Sequence, residues 1–300
     1  MKISVCIPIY NFDVRELITD LKHQIEKDAL NAEIILIDDA SGSQFKQINK
    51  EISQLCDQSV FLEKNIGRSK IRNLFLQYAN GDYLLFLDCD GKLVSKNFLK
   101  NYFEFLNLNT TSSVIYGGRT AVQKLTSPQY ILRWKFASER ENLSLTEREK
   151  KPYLSFQTNN FVISRKIFEQ VQFNTSLYKY GYEDLIFAMD LKALHIPINH
   201  IENPVLNNDI ESNEIYLKKV EESVENLTIL LKDETFNSKL SEIKIVKTYQ
   251  LISGIGILKF AVSAILSVFE NSFKRNLLST NPNLRFLDLY KLGLLLRVMK

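Results

Sequence analysis

Four strand-like runs, Ile3 to Ile9, Glu33 to Ile37, Val60 to Leu62 and Tyr83 to Leu87, each stop at polar or turn-forming residues. This pattern constrains the fold more than any other feature. Helical patterns lie between the first and second runs and between the third and fourth, an alternation that predicts an α/β domain with a parallel sheet. The runs are nearly continuous rather than alternating, as expected of strands covered on both faces. In such sheets ligands sit beyond the carboxyl ends of the strands, so the terminating residues are the first candidates for a site. They read Pro8-Ile9-Tyr10-Asn11, Asp38-Asp39-Ala40-Ser41-Gly42, Glu63-Lys64-Asn65-Ile66-Gly67-Arg68 and Asp88-Cys89-Asp90-Gly91.

With 300 residues, 45% hydrophobic and 24% charged, the chain can bury a substantial core. A formal charge of +3 gives no reason to expect a nucleic-acid partner. Cys6, Cys56 and Cys89 are an odd, widely spaced set, which argues against a disulfide framework or structural zinc and favours a reducing cytosol. The strand-like run that starts almost at Met1 and ends at a proline predicts no secretory leader of normal length. A dinucleotide-binding protein would place a glycine-rich turn after its first strand, and Pro8-Ile9-Tyr10-Asn11 contains no glycine. The P-loop pattern is also absent. Any pyrophosphate needs another source of positive charge, and a divalent cation on Asp88 and Asp90 would supply it, because hard oxygen donors leave coordination positions open for phosphate. The alternative is that these aspartates merely cap a turn or helix. Their company, Asp38-Asp39 on one strand end and Arg68 and Arg72 after another, favours a site, since cations make clustered carboxylates tolerable.

Val5-Cys6-Ile7-Pro8-Ile9-Tyr10-Asn11, Ile35-Leu36-Ile37-Asp38-Asp39-Ala40-Ser41, Asn65-Ile66-Gly67-Arg68-Ser69-Lys70-Ile71-Arg72-Asn73 and Gly81-Asp82-Tyr83-Leu84-Leu85-Phe86-Leu87-Asp88-Cys89-Asp90, followed by Tyr180-Gly181-Tyr182-Glu183-Asp184, stand in the order of glycosyltransferase family 2. The chain resembles that family over roughly residues 2–226. The resemblance implies a GT-A fold, a Rossmann-like mixed sheet flanked by helices, here with a C-terminal helical extension. It implies a catalytic domain over residues 1–212, with 1–100 as the nucleotide-sugar half and 101–212 as the acceptor half; residues 213–300 read as a helical region from their own residue pattern. The implied reaction moves a hexosyl or N-acetylhexosaminyl group from a nucleotide sugar, usually UDP-linked, to an acceptor hydroxyl with inversion, using Mn²⁺ or Mg²⁺. Surface polysaccharide assembly, with a glycan or lipid-linked acceptor, is the expected setting.

Carried over motif by motif, Pro8, Ile9, Tyr10 and Asn11 would line the base pocket and Asp39 would accept the uracil N–H. Asn65, Gly67, Arg68 and Arg72 would lie near the base and diphosphate. Asp88 would approach the ribose and water on the metal, Cys89 would be a spacer, and Asp90 would coordinate the cation. On the acceptor side a carboxylate can take the hydroxyl proton. The resemblance gives that role to Asp184, with Glu183 orienting the site at the start of a helix. Without the upstream motifs, the pair would more readily be read as merely favouring a helix N-terminus; the motifs reverse that preference. Asn159-Asn160-Phe161-Val162 resembles the strand edging the sugar pocket. Relatives often place a metal-binding histidine after Asn-Pro-Val, where this chain has Asn203-Pro204-Val205-Leu206-Asn207-Asn208. Asn207 is therefore the candidate third metal donor, through an oxygen weaker than imidazole nitrogen for Mn²⁺. His200 is expected to be structural and His195 to cap a helix.

Two other classes compete. Asp-x-Asp-Gly also marks haloacid-dehalogenase-type phosphohydrolases, but there it belongs on the first strand, and that reading leaves three strand ends unexplained. A noncatalytic sugar-binding module would dispense with Asp184. Residues 120–153, with Glu139-Arg140-Glu141 and Glu147-Arg148-Glu149-Lys150-Lys151, read as a solvated helix and loop. At the C-terminus Leu251, Ile255, Leu258, Val262, Ile265 and Phe269 recur at helical spacing. A membrane span there would carry Lys259 near its middle, at about 2.5–3.5 kcal/mol on insertion scales. Basic amphipathic helices fit peripheral attachment to an anionic inner leaflet; packing on the catalytic domain or on a second subunit fits equally well.

Overall fold

The computed structural model describes residues 1–121, 127–177, 181–207 and 211–299. The chain divides into two compact units. One comprises Met1–Val122, Asn142–Tyr178 and Glu183–Asp209; the other Gln123–Glu141, Lys179–Tyr182 and Ile210–Lys300.

The first unit is an α/β layer structure. Its elements are β1 (Ile3–Ile9), α1 (Arg15–Lys27), β2 (Ala32–Asp38), α2 (Ser43–Ile52), β3 (Gln58–Phe61), α3 (Arg68–Leu74), β4 (Tyr83–Leu87), β5 (Gly91–Leu93), α4 (Phe98–Leu108), β6 (Val114–Tyr116) and β7 (Arg119–Thr120), and then α6 (Leu145–Lys150), β8 (Asn160–Ser164), α7 (Arg165–Gln170), α8 (Glu183–Ala193), β9 (Ile198–His200) and β10 (Val205–Asn207). Among the described residues seven strands form one sheet in the order β3-β2-β1-β4-β8-β6-β9. The first four strands run parallel, as the apolar runs require. The sheet is mixed because β8 enters antiparallel between β4 and β6, which the parallel pattern of the early runs does not reveal. The α2 helix between β2 and β3 was also not anticipated from the sequence.

Both sheet faces are covered. Leu17, Ile18, Leu21, Phe98, Leu99 and Tyr102 pack on one face. On the other, Phe86 stacks on Phe161 with centroids 5.0 Å apart, and Phe173 stacks on Phe187 at 4.2 Å. This two-sided burial explains why the strands carry no polar alternation. Gly81 lies where a Cβ would meet the Ser4 backbone nitrogen at 2.6 Å, a close approach that lets its N–H donate to Ser4 Oγ at 2.8 Å. A three-stranded sheet in the order β5-β10-β7 pairs Asn207 with Gly91 in antiparallel register.

One charged stretch departs from the sequence reading. Ser144 and Glu147 form a capping box at the start of α6, but Arg148 is not solvated. Its buried guanidinium donates to the carbonyls of Leu143, Tyr116 and Ile201 and sits over the Tyr116 ring. His200 is buried beside it with Nε2 3.0 Å from the Pro152 carbonyl. Burial pushes its imidazole down to about 4, which keeps it neutral. His195 follows α8 with φ 57°, its N–H bonded to the Lys192 carbonyl.

The second unit is helical: α5 (Ile131–Phe136), α9 (Asn213–Lys232), α10 (Glu234–Leu240), α11 (Lys244–Ser253), α12 (Gly256–Leu277) and α13 (Leu284–Val298). Its core gathers Leu132, Tyr216, Leu217, Val220, Leu266, Phe273, Leu277, Leu287 and Tyr290. The single apolar face expected from Leu251 to Phe269 is interrupted at Gly254 and Ile255, between α11 and α12. The side that packs inward uses Leu266, Phe273 and Leu277. Ile255, Leu258, Ile265 and Phe269 are exposed instead. By length and composition α12 is the one helix among the described residues that could cross a membrane, with a mean hydropathy of 1.3 over its most apolar stretch.

Candidate functional site

The carboxyl ends of β1 to β4 bring the predicted donor-side residues into one region of the first unit. After β1, Asn11 adopts φ 52°. Its N–H donates to Ser41 Oγ at 2.8 Å, while its side-chain oxygen accepts from Gly42 N–H at 2.8 Å. This exchange ties the β1 end to the β2 end, and it leaves the Tyr10 ring exposed. Pro8 and Ile9 complete β1 opposite Ile37 and Asp38.

Asp39 organises the next loop. Its two carboxylate oxygens accept the N–H groups of Ile66 at 2.7 Å and Gly67 at 3.0 Å, and its carbonyl accepts from the Asn65 amide. Each carboxylate oxygen retains a further lone pair. Gly67 has φ 84° with open space where a Cβ would be, so backbone conformation rather than crowding calls for glycine. It directly precedes α3, which carries Arg68 and Arg72 on successive turns.

Arg72 is buried and its Nη2 donates to Asp88 Oδ1 at 2.7 Å; its guanidinium carbon lies 5.6 Å from the Phe173 ring centroid. Arg68 is more exposed and lies 3.4 Å from Glu183 Oε1. Asp90 is reached from the other side by Asn207, whose Nδ2 donates to its Oδ2 at 3.2 Å, a consequence of the β5–β10 register. Between the aspartates, burial and then the two neighbouring carboxylates push the Cys89 thiol up to about 12, so it is a neutral spacer. Asn208 and Tyr180 lie outside the described residues.

Glu183 and Asp184 open α8. Asp184 is held by Thr158, whose Oγ1 donates to Oδ1 at 2.7 Å and whose N–H donates to Oδ2 at 3.2 Å. Burial, and then the charge of Glu183, raise the Asp184 carboxyl to about 6 against the opposing pull of Arg72 and Thr158. Asn159 links the two halves of the site: its carbonyl accepts the Asp88 N–H at 3.0 Å, and its neighbour Thr158 holds Asp184. Both polar atoms of the Asn159 side chain, and Oε2 of Glu183, are buried without a hydrogen-bond partner among the described residues. Such groups cost about 1–3 kcal/mol each unless something satisfies them.

The sequence did not single out Thr158. Its signal is conditional: only once β8 is known to pair antiparallel with β4, Asn160 opposite Leu87, does the residue before Asn159 fall at the strand end that carries Asp88.

Residues 4–172 match the family described as "Glycosyl transferase family 2"; the match ends before Glu183. Over 155 residues, half of this chain, the sequence is 30% identical to the minor teichoic acid biosynthesis protein GgaB of Bacillus subtilis (strain 168), covering 16% of that protein. It is 33% identical over 112 residues, 36% of this chain, to the poly(ribitol-phosphate) beta-N-acetylglucosaminyltransferase TarS of Staphylococcus aureus (strain Mu50), covering 19% of it. The chain matches well under half the length of the curated relatives. In structure it is similar to the mannosyltransferase PcManGT of Pyrobaculum calidifontis in complex with GDP-Man and Mn²⁺, with a TM-score of 0.58 at 12% identity, covering 99% of this chain and 85% of that one. Residues 1–349 of S. aureus TarS in complex with UDP give a TM-score of 0.50 at 19% identity, covering 100% and 90%. These likenesses establish the GT-A fold. With the strand-end motifs, they set the phosphohydrolase reading of Asp88 and Asp90 aside: the chain belongs to glycosyl transferase family 2.

Proposed function

We propose that this chain transfers a hexosyl or N-acetylhexosaminyl group from a UDP-sugar to an acceptor hydroxyl, with inversion, in the assembly of a surface polysaccharide. The observation that carries the reading is the placement of Asp184. It is a half-buried carboxylate raised to about 6, held by Thr158 and joined through Asn159 to Asp88 on the neighbouring strand end. A base that titrates near the working pH suits removal of a hydroxyl proton. A noncatalytic sugar-binding module has no use for it. The relatives whose names describe teichoic acid and poly(ribitol-phosphate) chemistry support a polyol or glycan acceptor, and the UDP bound to TarS supports the uridine donor.

Asp90, Asp88 and, once the Asn207 amide turns from the hydrogen bond its nitrogen makes to Asp90, the Asn207 oxygen would form a hard, all-oxygen donor set suited to Mg²⁺ or Mn²⁺. Among the described residues no group of three His, Cys, Asp or Glu side chains is placed to hold a metal, so the third protein donor would be the amide. Bound there, the cation would offset the negative charge of the departing diphosphate. The chain's own residues do the rest. Tyr10 offers an exposed ring for the base to stack on, and Asp39 offers its remaining lone pairs to the base while fixing the Asn65–Gly67 loop. Arg68 brings positive charge beside Glu183. Arg72 fixes the Asp88 carboxylate, and Glu183 orients the site beside Arg68. Asp184 takes the acceptor proton.

The test is isothermal titration of UDP with and without Mn²⁺, followed by turnover of a panel of UDP-sugars. Metal-dependent UDP binding is expected, with Asp184→Asn retaining that binding and losing transfer by 10²–10⁴-fold, the usual contribution of a general base. Absence of UDP affinity under both conditions would refute the donor assignment, and full turnover by the variant would remove Asp184 from its role.

A further inference from the structure

We propose that α11 and α12 form a docking face for an anionic lipid surface, with α12 lying in the plane of the interface. The face is defined by exposure. From Leu251 to Phe269 the exposed side chains include Leu251, Ile255, Ile257, Phe260, Val268 and Phe269, with Ile257 86% and both Phe260 and Val268 79% exposed. No charged side chain in that stretch points outward. Lys259 is its one ion, and that ammonium is turned inward to the Met299 carbonyl at 2.9 Å. Within α12, Ile257, Phe260, Ala264 and Val268 follow one another at three- and four-residue steps, one stripe of a helix. A helix of this length is about 33 Å long. Contiguous apolar surface of this kind marks an interaction site rather than ordinary exposure.

Charge decides the occupant. Lys244 and Lys247, exposed on the face of α11 that also carries Leu251, precede the stripe, and exposed Arg275 ends it. None of the three has an ion-pair partner among the described residues. From Lys244 onward the chain carries nine Lys or Arg against two Asp or Glu, although its total charge is only +3. A second copy laid on this face would set cations against cations in either orientation, parallel or antiparallel. Anionic headgroups would instead neutralise both ends while the stripe enters the acyl boundary. Insertion across a bilayer is disfavoured because the opposite side of α12 is committed: Leu266, Phe273 and Leu277 are buried in the helical core, and Glu270 is paired with Arg297 at 2.7 Å.

The experiment uses the full chain and vesicles of phosphatidylcholine with or without phosphatidylglycerol, read by co-sedimentation across a salt series, so it does not depend on the proposed transferase activity. Binding to the phosphatidylglycerol vesicles, weakening as salt rises, is expected, with far less binding to phosphatidylcholine alone. Phe260→Asp and Val268→Asp should each weaken it by about tenfold or more, the equivalent of one buried large apolar side chain, without changing circular dichroism or UDP affinity. Lys244→Glu with Lys247→Glu should remove the salt-sensitive part. No binding to phosphatidylglycerol vesicles, or unchanged binding by the aspartate variants, would overturn the proposal. So would a wild-type dimer that Phe260→Asp converts to monomer while vesicle binding is absent.

Discussion

Asp88 and Asp90 are two residues apart and chemically identical, yet their surroundings separate them. Asp88 neutralises Arg72, a guanidinium buried against Phe173, whereas Asp90 accepts from the amide of Asn207. Removing one partner of a buried pair leaves the other charge uncompensated, at 3–5 kcal/mol when both are fully buried. With the Asp88 side chain 33% exposed, Asp88→Asn should cost about 2 kcal/mol in urea unfolding, a discount on that range for screening. Asp90→Asn should weaken metal-dependent donor binding. Donor binding that keeps its metal dependence in Asp90→Asn would contradict the division of labour. Asp184 gives a second contrast. Its folded-state value of about 6 lies above the ordinary 3.8, so the folded protein binds the extra proton between those values and stability falls as pH rises through that window. At pH 7 the ionised carboxylate is a net cost, and Asp184→Asn should melt higher than wild type by a few degrees, with the difference closing near pH 4. The wild-type rate should rise as pH rises through about 6, since the base must be ionised. Thr158→Val, which deletes the hydroxyl hydrogen bond that lowers the carboxyl's pKa, should move that limb to higher pH.

At the scale of elements, the strand ends proposed as the donor half of the site were legible, because a buried strand announces its end by the switch from apolar to polar residues. Pro8 to Asn11, Asp38 to Gly42, Asn65 to Arg68 and Asp88 to Gly91 all fall at such switches. The acceptor half was harder to read. Asp184 could be guessed from the family pattern, but its partner Thr158 depends on β8 entering antiparallel, and pairing direction leaves no mark in a five-residue apolar strand. Arg148 was misread for a related reason: in a run of alternating charges, nothing local says which one finds three backbone carbonyls to satisfy it. The β1–β4 pairing has its own test in Gly81, where any Cβ would lie 2.6 Å from the Ser4 backbone. Gly81→Ala should cost about 1–3 kcal/mol by overpacking, seen as a lower urea midpoint with an unchanged slope. Retained stability would mean that β1 and β4 can separate more easily than their register suggests.

Across the whole molecule, each unit carries its own apolar core: the sheet faces in the first, and Tyr216, Leu266, Phe273 and Tyr290 in the second. Every residue assigned to donor or acceptor chemistry belongs to the sheet unit, and the positive excess from Lys244 onward belongs to the helical one. The sequence showed this asymmetry of charge but not which side of α12 would be covered. The residues that recur at helical spacing satisfy a buried stripe and an exposed one equally well, and only the packing of Leu266, Phe273 and Leu277 decides between them. Amide hydrogen exchange in the presence of UDP and Mn²⁺ tests the division directly. A ligand that binds the folded state slows the local openings that would release it. Protection should therefore rise at Asn11, Asp39, Ile66, Gly67 and Asp88 to Gly91, and in the first turn of α8, while α12 and α13 exchange as before. Protection centred on α12 and α13 instead would place the nucleotide in the helical unit and remove the strand-end site from the reaction.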